Sequence, residues 1–190
     1  MSDNHPLKTH AAKLQSLTAS AEFTNGQEQL IPYGDGVHDS LELLKEARER
    51  RASVFLVGNG GSAAVVSHIL TDFINVAKVR AITLHETSLV TCMSNDYGYE
   101  NVYSRPLATL AQANDLLIAV SSSGQSKNIC NTADCMQEIG GKVITLSGFD
   151  KDNPLRRMGE VNFWLNSSDY GLVEIGHMFF LHYLSDNLKQ

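Results

Sequence analysis

From Ser53 onward, short apolar segments alternate with longer segments of helical periodicity. The apolar segments predict buried strands at Ser53–Val57, Ala81–Leu84, Asp115–Val120, Lys142–Leu146 and Val161–Leu165. The helical patterns cover Ser62–Val76, about Glu100–Gln112, Ser126–Ile139, Pro154–Met158 and Gly171–Leu188. This alternation predicts an α/β fold, a five-stranded parallel sheet covered by helices on both faces. Folds of this kind bind ligands at the carboxyl ends of their strands.

The first 52 residues lack the alternation and predict a pair of amphipathic helices, Leu7–Ala21 and Val37–Arg50. Breaks at Asn25-Gly26 and at Pro32–Gly36 separate the two helices. We therefore divide the chain into an N-terminal helical arm, residues 1–52, and a sheet domain, residues 53–190, that act as one domain. The helical pair has no partner within itself, so we expect it to dock on the sheet or on another subunit.

The composition excludes several classes of protein. The formal net charge is -6 without a basic run to offset it, which argues against direct binding of nucleic acid. Arg48, Arg50 and Arg51 end a helical pattern, where cations complement the helix dipole. Three cysteines without metal-type spacing fit a reducing compartment, and no apolar run has membrane-spanning length. We expect a cytoplasmic protein that does not bind membranes.

Two serine- and glycine-rich turns follow predicted strands and open onto predicted helices, Val57–Ala63 and Val120–Ser126. Such turns present backbone N–H groups and small hydroxyls to an anion at a helix N-terminus. Read alone, the second turn is a polar loop with Ser126 as the N-cap. The occurrence of both turns in one chain predicts a phosphorylated small molecule as the ligand.

The first turn also fits a dinucleotide-binding pattern, Gly58-x-Gly60-x-x-Ala63. Alone this pattern has low specificity. A nicotinamide-dependent oxidoreductase also needs an acidic residue after the second strand of the sheet domain, and Glu86 stands there. That alternative leaves the second serine turn unexplained.

Four motifs in order resemble the sugar isomerase (SIS) domain and, within it, the phosphoheptose isomerases: Gly58–Ser62, Ser94–Tyr99, Tyr103–Arg105 and Ser121–Ser126. The resemblance runs from about Val54 to the C-terminus. It implies a homotetramer with sites at subunit interfaces and with the N-terminal helices in a central bundle. It also implies that substrate is bound by Asn59, Gly60, Gly61, Ser62, Asp72, Asn95, Asp96, Ser121, Ser122, Ser123, Ser126 and Glu174.

Titratable side chains gather on two of the predicted helices. His68 and Asp72 stand four residues apart and share one helix face, and the last helix carries Glu174, His177 and His182. Zinc takes such donors. Spacing alone leaves His177 and His182 open as the partner of Glu174. The resemblance selects His68, Asp72, Glu174 and His182 as metal ligands, implies one zinc ion per subunit, and gives the catalytic roles of base to Asp72 and acid to His182.

The resemblance implies an aldose–ketose isomerase that converts sedoheptulose 7-phosphate through an enediolate. The sequence departs from the family pattern at four positions. The family has Glu at the position of Asp72, Gln at Glu174, Arg at Val76, and a small polar or acidic residue at Gly171. These changes lie at the sugar end of the expected site. A second hypothesis is therefore that the substrate is a sugar phosphate other than the seven-carbon ketose. The alternative is a non-catalytic SIS scaffold, as in a relative that binds the bacterial replication initiator.

Overall fold

The computed structural model describes residues 5–189 of the chain. In this range seven strands form one sheet. In chain order they are β1 Glu22–Asn25, β2 Leu30–Ile31, β3 Ser53–Gly58, β4 Arg80–Thr83, β5 Leu116–Ser121, β6 Lys142–Ser147 and β7 Val161–Trp164. Their order across the sheet is β2-β1-β7-β6-β5-β3-β4.

Helices precede, connect and follow these strands. They are α1 Pro6–Ala19, α2 Tyr33–Glu49, α3 Gly60–Asn75, α4 Thr87–Tyr97, α5 Ser104–Leu110, α6 Lys127–Ile139 and α7 Tyr170–Asn187, with short 3-10 helices at Tyr99–Asn101 and Pro154–Arg157. Among residues 5–189, none of the helices has both the length and the apolar character needed to cross a bilayer.

The three-layer α/β architecture predicted from the alternation is confirmed. The five strands β3 to β7 pair with one another in parallel. Successive residues of β3 enter opposite cores: Val54 packs with α2, α3 and α7, whereas Phe55 packs with α5 and α6. The sheet is therefore covered on both faces, and its inner strands are apolar throughout because neither face meets water.

The predicted number of five strands was wrong, because β1 and β2 extend the sheet. β1 pairs antiparallel with both β7 and β2. A four-residue strand is too short to show alternation, and Asn25-Gly26 at its end predicts only a break between helices. What places β1 is tertiary: buried Phe23 packs on the rings of Phe163 and Phe180. The N-terminal segment is therefore not purely helical.

The two N-terminal helices differ in how they are covered. α2 packs on the sheet through buried Leu44 and Ala47, as expected for a helix docked there. α1 contacts α7 and is exposed along most of its length, with Leu17 its buried residue.

Helix α4 was not predicted, and the helix expected at about Glu100–Gln112 is reduced to the 3-10 turn and α5. α4 is rich in serine and threonine and has no buried residue, so it lacks the apolar stripe that reveals a helix. Its start is fixed locally, since the Glu86 carboxylate accepts the Leu89 N–H at 2.8 Å.

Candidate active site

The two serine- and glycine-rich turns meet at the carboxyl edge of the sheet. β3 and β5 are neighbours, with Gly58 opposite Val120, so the turns that follow them lie side by side. Together they line one open cavity of about 230 Å³. Its walls hold Asn59, Gly60, Gly61, Ser62, Ser121, Ser122, Ser123, Ser126, Tyr170 and Glu174.

The backbone of the first serine- and glycine-rich turn, between β3 and α3, requires glycine at two positions. Gly60 has φ +52°, in the left-handed region that favours glycine. A Cβ added at Gly58 would lie 2.7 Å from the backbone carbon of Ser62. The tight turn leads directly into α3, whose first residues line the cavity.

Asn59 stands at the N-cap of α3 but does not cap it. Its amide instead exchanges two hydrogen bonds with the amide of Asn128, and its oxygen also accepts from the Tyr99 hydroxyl at 2.9 Å. Asn128 is 2% exposed and lies in the first turn of α6. Sequence reasoning missed it, because the pairing joins residues 69 positions apart.

The second turn is organised by its own hydroxyls. Ser121 donates to Ser126 at 3.3 Å and accepts the Gly124 N–H at 3.2 Å. Ser126 stands at the N-cap position of α6, but its hydroxyl makes no capping hydrogen bond. Capping of the helix therefore does not explain this serine. Ser122 Oγ is buried and has no hydrogen-bond partner within residues 5–189. A buried polar group without a partner is costly, and an anion in the cavity would supply an acceptor.

A second group of side chains lies further along α3 and α7. His182 Nδ1 is 3.0 Å from Asp72 Oδ2, and the ring centroids of His68 and His182 are 5.1 Å apart. One ligand atom from each of these three residues lies within 4.8 Å of the other two. All three side chains reach solvent, His68 most of all. Two imidazoles and a carboxylate are donors that zinc accepts.

Glu174 lines the cavity between the two serine- and glycine-rich turns and is not one of these three residues. A Cβ added at Gly61 would collide with the Glu174 carboxylate. Eight residues along α7 separate Glu174 from His182, a rise of about 12 Å. Of the four predicted metal ligands, the structure thus brings together His68, Asp72 and His182.

His177 faces the sheet. It is fully buried, its Nε2–H donates to the Ser147 carbonyl at 3.1 Å, and burial lowers the pKa of the imidazole to about 4. The structure therefore favours His182 over His177 as the histidine of the site, a choice that spacing alone left open.

Asn95 and Asp96 lie in the last turn of α4, outside the cavity. Both are exposed, and the Asn95 amide donates to Asp96 Oδ1 at 2.8 Å. Glu86, the acid that the dinucleotide alternative requires, is the N-cap of α4 and accepts from Leu89 and Ser88. These hydrogen bonds lower the pKa of its carboxyl, with that from Ser88 the largest cause.

Comparison with known proteins identifies related sequences along most of the chain. A profile of the SIS domain matches residues 32–148. A phosphoheptose isomerase of Helicobacter pylori (strain HPAG1) is 33% identical over 183 residues, which cover 86% of this chain and 94% of the relative. A phosphoheptose isomerase of Geotalea daltonii is 33% identical over 156 residues, 79% of this chain and 81% of the relative.

Solved structures share the fold at lower identity. A phosphoheptose isomerase from Neisseria gonorrhoeae superposes with a TM-score of 0.82 at 24% identity, over 96% of this chain and 97% of that one. One from Francisella tularensis also has a TM-score of 0.82, at 20% identity, over 99% and 98%. The NanR protein of Vibrio vulnificus, complexed with ManNAc-6P, has a TM-score of 0.70 at 17% identity, over 96% of this chain and 60% of that one.

Proposed function

Because this chain belongs to the SIS domain family, in its phosphoheptose isomerase branch, we propose that it interconverts sedoheptulose 7-phosphate and the corresponding aldoheptose 7-phosphate. One observation carries the proposal. The helices α3 and α7 line the cavity between the two turns near their N-terminal ends, and further along they bring Asp72 and His182 together.

The cavity end of the site suits the phosphoryl group. α3 and α6 both begin there, and neither receives a side-chain cap from its N-cap residue. The first N–H groups of both helices and the positive ends of their dipoles favour an anion at this place.

The position of Asp72 and His182 suits a long substrate. The rise of about 12 Å between Glu174 and His182 separates the cavity from the acid–base pair. A long open-chain sugar with its phosphate on the terminal carbon matches this separation better than a triose phosphate.

The acid–base pair carries out the proton transfers. Asp72 removes a proton from C1 of the ketose, and the electrons of the broken C–H bond form the C1–C2 double bond of an enediolate. His182 donates a proton to the oxygen on C2. The hydroxyl on C1 then loses its proton, C2 gains one, and the aldehyde at C1 results. Positioned acids and bases contribute about 100- to 10,000-fold to such steps.

The residues present fit a zinc ion. His68, Asp72 and His182 would hold one ion per subunit, and three protein ligands leave a position for substrate, as in catalytic zinc sites. When bound, such an ion polarises a carbonyl oxygen. Asp72 has two carboxylate oxygens, so one oxygen remains for proton transfer while the other is a ligand. Glu174 as a fourth ligand stays a prediction.

The homotetramer implied by the resemblance is supported by apolar surface on α1 and α7. Leu7, Ile175, Phe179 and Tyr183 are exposed. An apolar groove of about 420 Å³ also runs beside α7, lined in part by Tyr33 and Phe179. A second copy of the chain packed here would cover these side chains. Asn95 and Asp96 lie outside the cavity of their own subunit, which agrees with sites at subunit interfaces.

Cys92, Cys130 and Cys135 are free, which supports the predicted cytoplasmic location. The relatives named above are isomerases, which favours an enzyme over the scaffold alternative.

Turnover decides between the enzyme and the scaffold. Purified protein is incubated with sedoheptulose 7-phosphate, then with hexose and pentose phosphates, and aldose formation is followed. We expect conversion of the heptulose phosphate. A tetramer that binds sugar phosphate without converting it would instead support the scaffold.

A further inference from the structure

Tyr170 lines the cavity beside the two turns, although sequence analysis did not assign it a role. It is the first residue of α7 and is 60% exposed. Its hydroxyl makes no hydrogen bond within residues 5–189. An exposed tyrosine with a free hydroxyl at the wall of an anion-type cavity has a donor to offer a ligand.

The ring of Tyr170 is held by Phe149. The two ring centroids are 4.8 Å apart at an interplanar angle of 72°, an edge-to-face contact. Phe149 has φ +55°, a left-handed conformation that is an outlier for a bulky residue. Its N–H donates to the Ser167 carbonyl at 2.9 Å, which helps hold it there. Strained residues of this kind cluster at functional sites.

The start of α7 is also fixed. Asp169 is its N-cap and accepts the Leu172 N–H at 3.2 Å. Tyr170 and Glu174 lie four residues apart on one helix face, and both line the cavity. His182 is about 18 Å further along the helix than Tyr170, so Tyr170 belongs to the phosphate end of the site.

We propose that Tyr170 is a binding residue for the substrate's phosphoryl group. Its hydroxyl donates a hydrogen bond to a phosphoryl oxygen, its ring closes the outer end of the cavity, and Phe149 acts as its positioning residue. This inference rests on the proposed function, since it adds a ligand to that site.

The test measures binding of inorganic phosphate by calorimetry, together with the kinetics of the heptulose phosphate. Tyr170→Phe removes only the hydroxyl, and we expect it to weaken phosphate binding about tenfold. Tyr170→Ala also removes the ring and should weaken binding further. Both variants should raise KM while kcat stays within about twofold, because Asp72 and His182 lie far from the change.

Two further variants serve as supporting and control measurements. Phe149→Gly removes the supporting ring at a position whose backbone favours glycine, and we expect it to weaken phosphate binding less than Tyr170→Ala does. Tyr183→Phe is the matched control: it removes a tyrosine hydroxyl from the same helix outside the cavity, keeps the ring that a second copy would cover, and should bind phosphate normally. Equal phosphate binding by Tyr170→Phe and the unaltered protein would overturn this inference alone. Failure of the unaltered protein to bind phosphate or sugar phosphate would remove the proposed function as well.

Discussion

Asn59, in the glycine-rich turn between β3 and α3, and Asn128, near the start of α6, exchange two amide hydrogen bonds of 2.9 and 2.8 Å. Asn59 precedes one anion-facing helix, and Asn128 belongs to the other. The pair therefore fixes the two helix N-termini relative to each other, with the cavity alongside them.

Breaking this pair should affect both stability and binding. Asn128→Ala removes both of these hydrogen bonds from the half-buried Asn59 amide, and we expect a loss of about 1–3 kcal/mol in the free energy of unfolding. KM should rise at the same time because the first turn is no longer held. Urea denaturation and steady-state kinetics measure the two effects. Asn131→Ala is the control, because this half-buried amide lies on the same helix but donates to the Glu100 carbonyl and not to Asn59. An unchanged KM in Asn128→Ala would show that the pair does not position the turn.

Removing the acid or the base should abolish turnover but leave phosphate binding intact. We expect Asp72→Asn and His182→Gln each to lower kcat about 100- to 10,000-fold, because each removes a proton-transfer group. Inorganic phosphate should bind both variants with the affinity of the unaltered protein, since the cavity lies about 12 Å away along α7. Glu42→Gln, at a partly exposed carboxylate on α2, controls for a change of charge alone. Turnover that survives in both variants would assign the chemistry to other residues.

The zinc content of variants tests whether His68, Asp72 and His182 hold the metal without Glu174. Protein purified without chelator or added zinc should contain about one zinc ion per subunit. His68→Ala should lose it, whereas His38→Ala, an exposed histidine on α2, should keep it. We expect Glu174→Ala to keep zinc as well, because the Glu174 carboxylate lies against Gly61. Loss of zinc from Glu174→Ala would instead support the four-residue ligand set, and protein that cannot take up zinc would contradict the metal site.

His177 should make the fold sensitive to mild acid. Its pKa is lowered by burial from 6.5 to about 4, so the unfolded chain binds a proton at a pH where the folded chain does not. Its contribution to stability is therefore present above about pH 6.5 and is lost as the pH falls toward about 4. Between pH 7.5 and 5 we expect a loss of about 2 kcal/mol in the free energy of unfolding.

Urea denaturation at both pH values checks this expectation. His177→Gln should show a smaller difference between pH 7.5 and pH 5 than the unaltered protein, whatever its stability at neutral pH. The exposed His38→Ala variant should retain the full difference. An equal pH dependence in His177→Gln and the unaltered protein would place the acid sensitivity elsewhere.

The sequence predicted those parts of the fold whose signals are local. β3 and α3 have long apolar or helical patterns, and the first turn stands between them, so residue patterns alone place Gly60 and Ser62 at a helix start. The meeting of the two turns needed one further fact, that β3 and β5 are neighbours, which periodicity does not contain.

The features that sequence analysis missed depend on distant partners. Asn128 has a role only through Asn59, and Tyr170 only through the cavity to which it contributes a wall. β1 is stabilised by contacts of Phe23 with rings on β7 and α7 rather than by its own pattern. The resemblance placed His182 in the site, and only the folded chain shows why His177 is not available for it.

The pairing of β1 with β7 has a practical consequence for shortening this chain. Deleting residues 1–31 would leave the backbone N–H and C=O groups along one side of β7 without their partners and would uncover Phe163. An open, apolar strand of this kind recruits strands from other molecules. We therefore expect the shortened protein to precipitate rather than to behave as a trimmed catalytic domain.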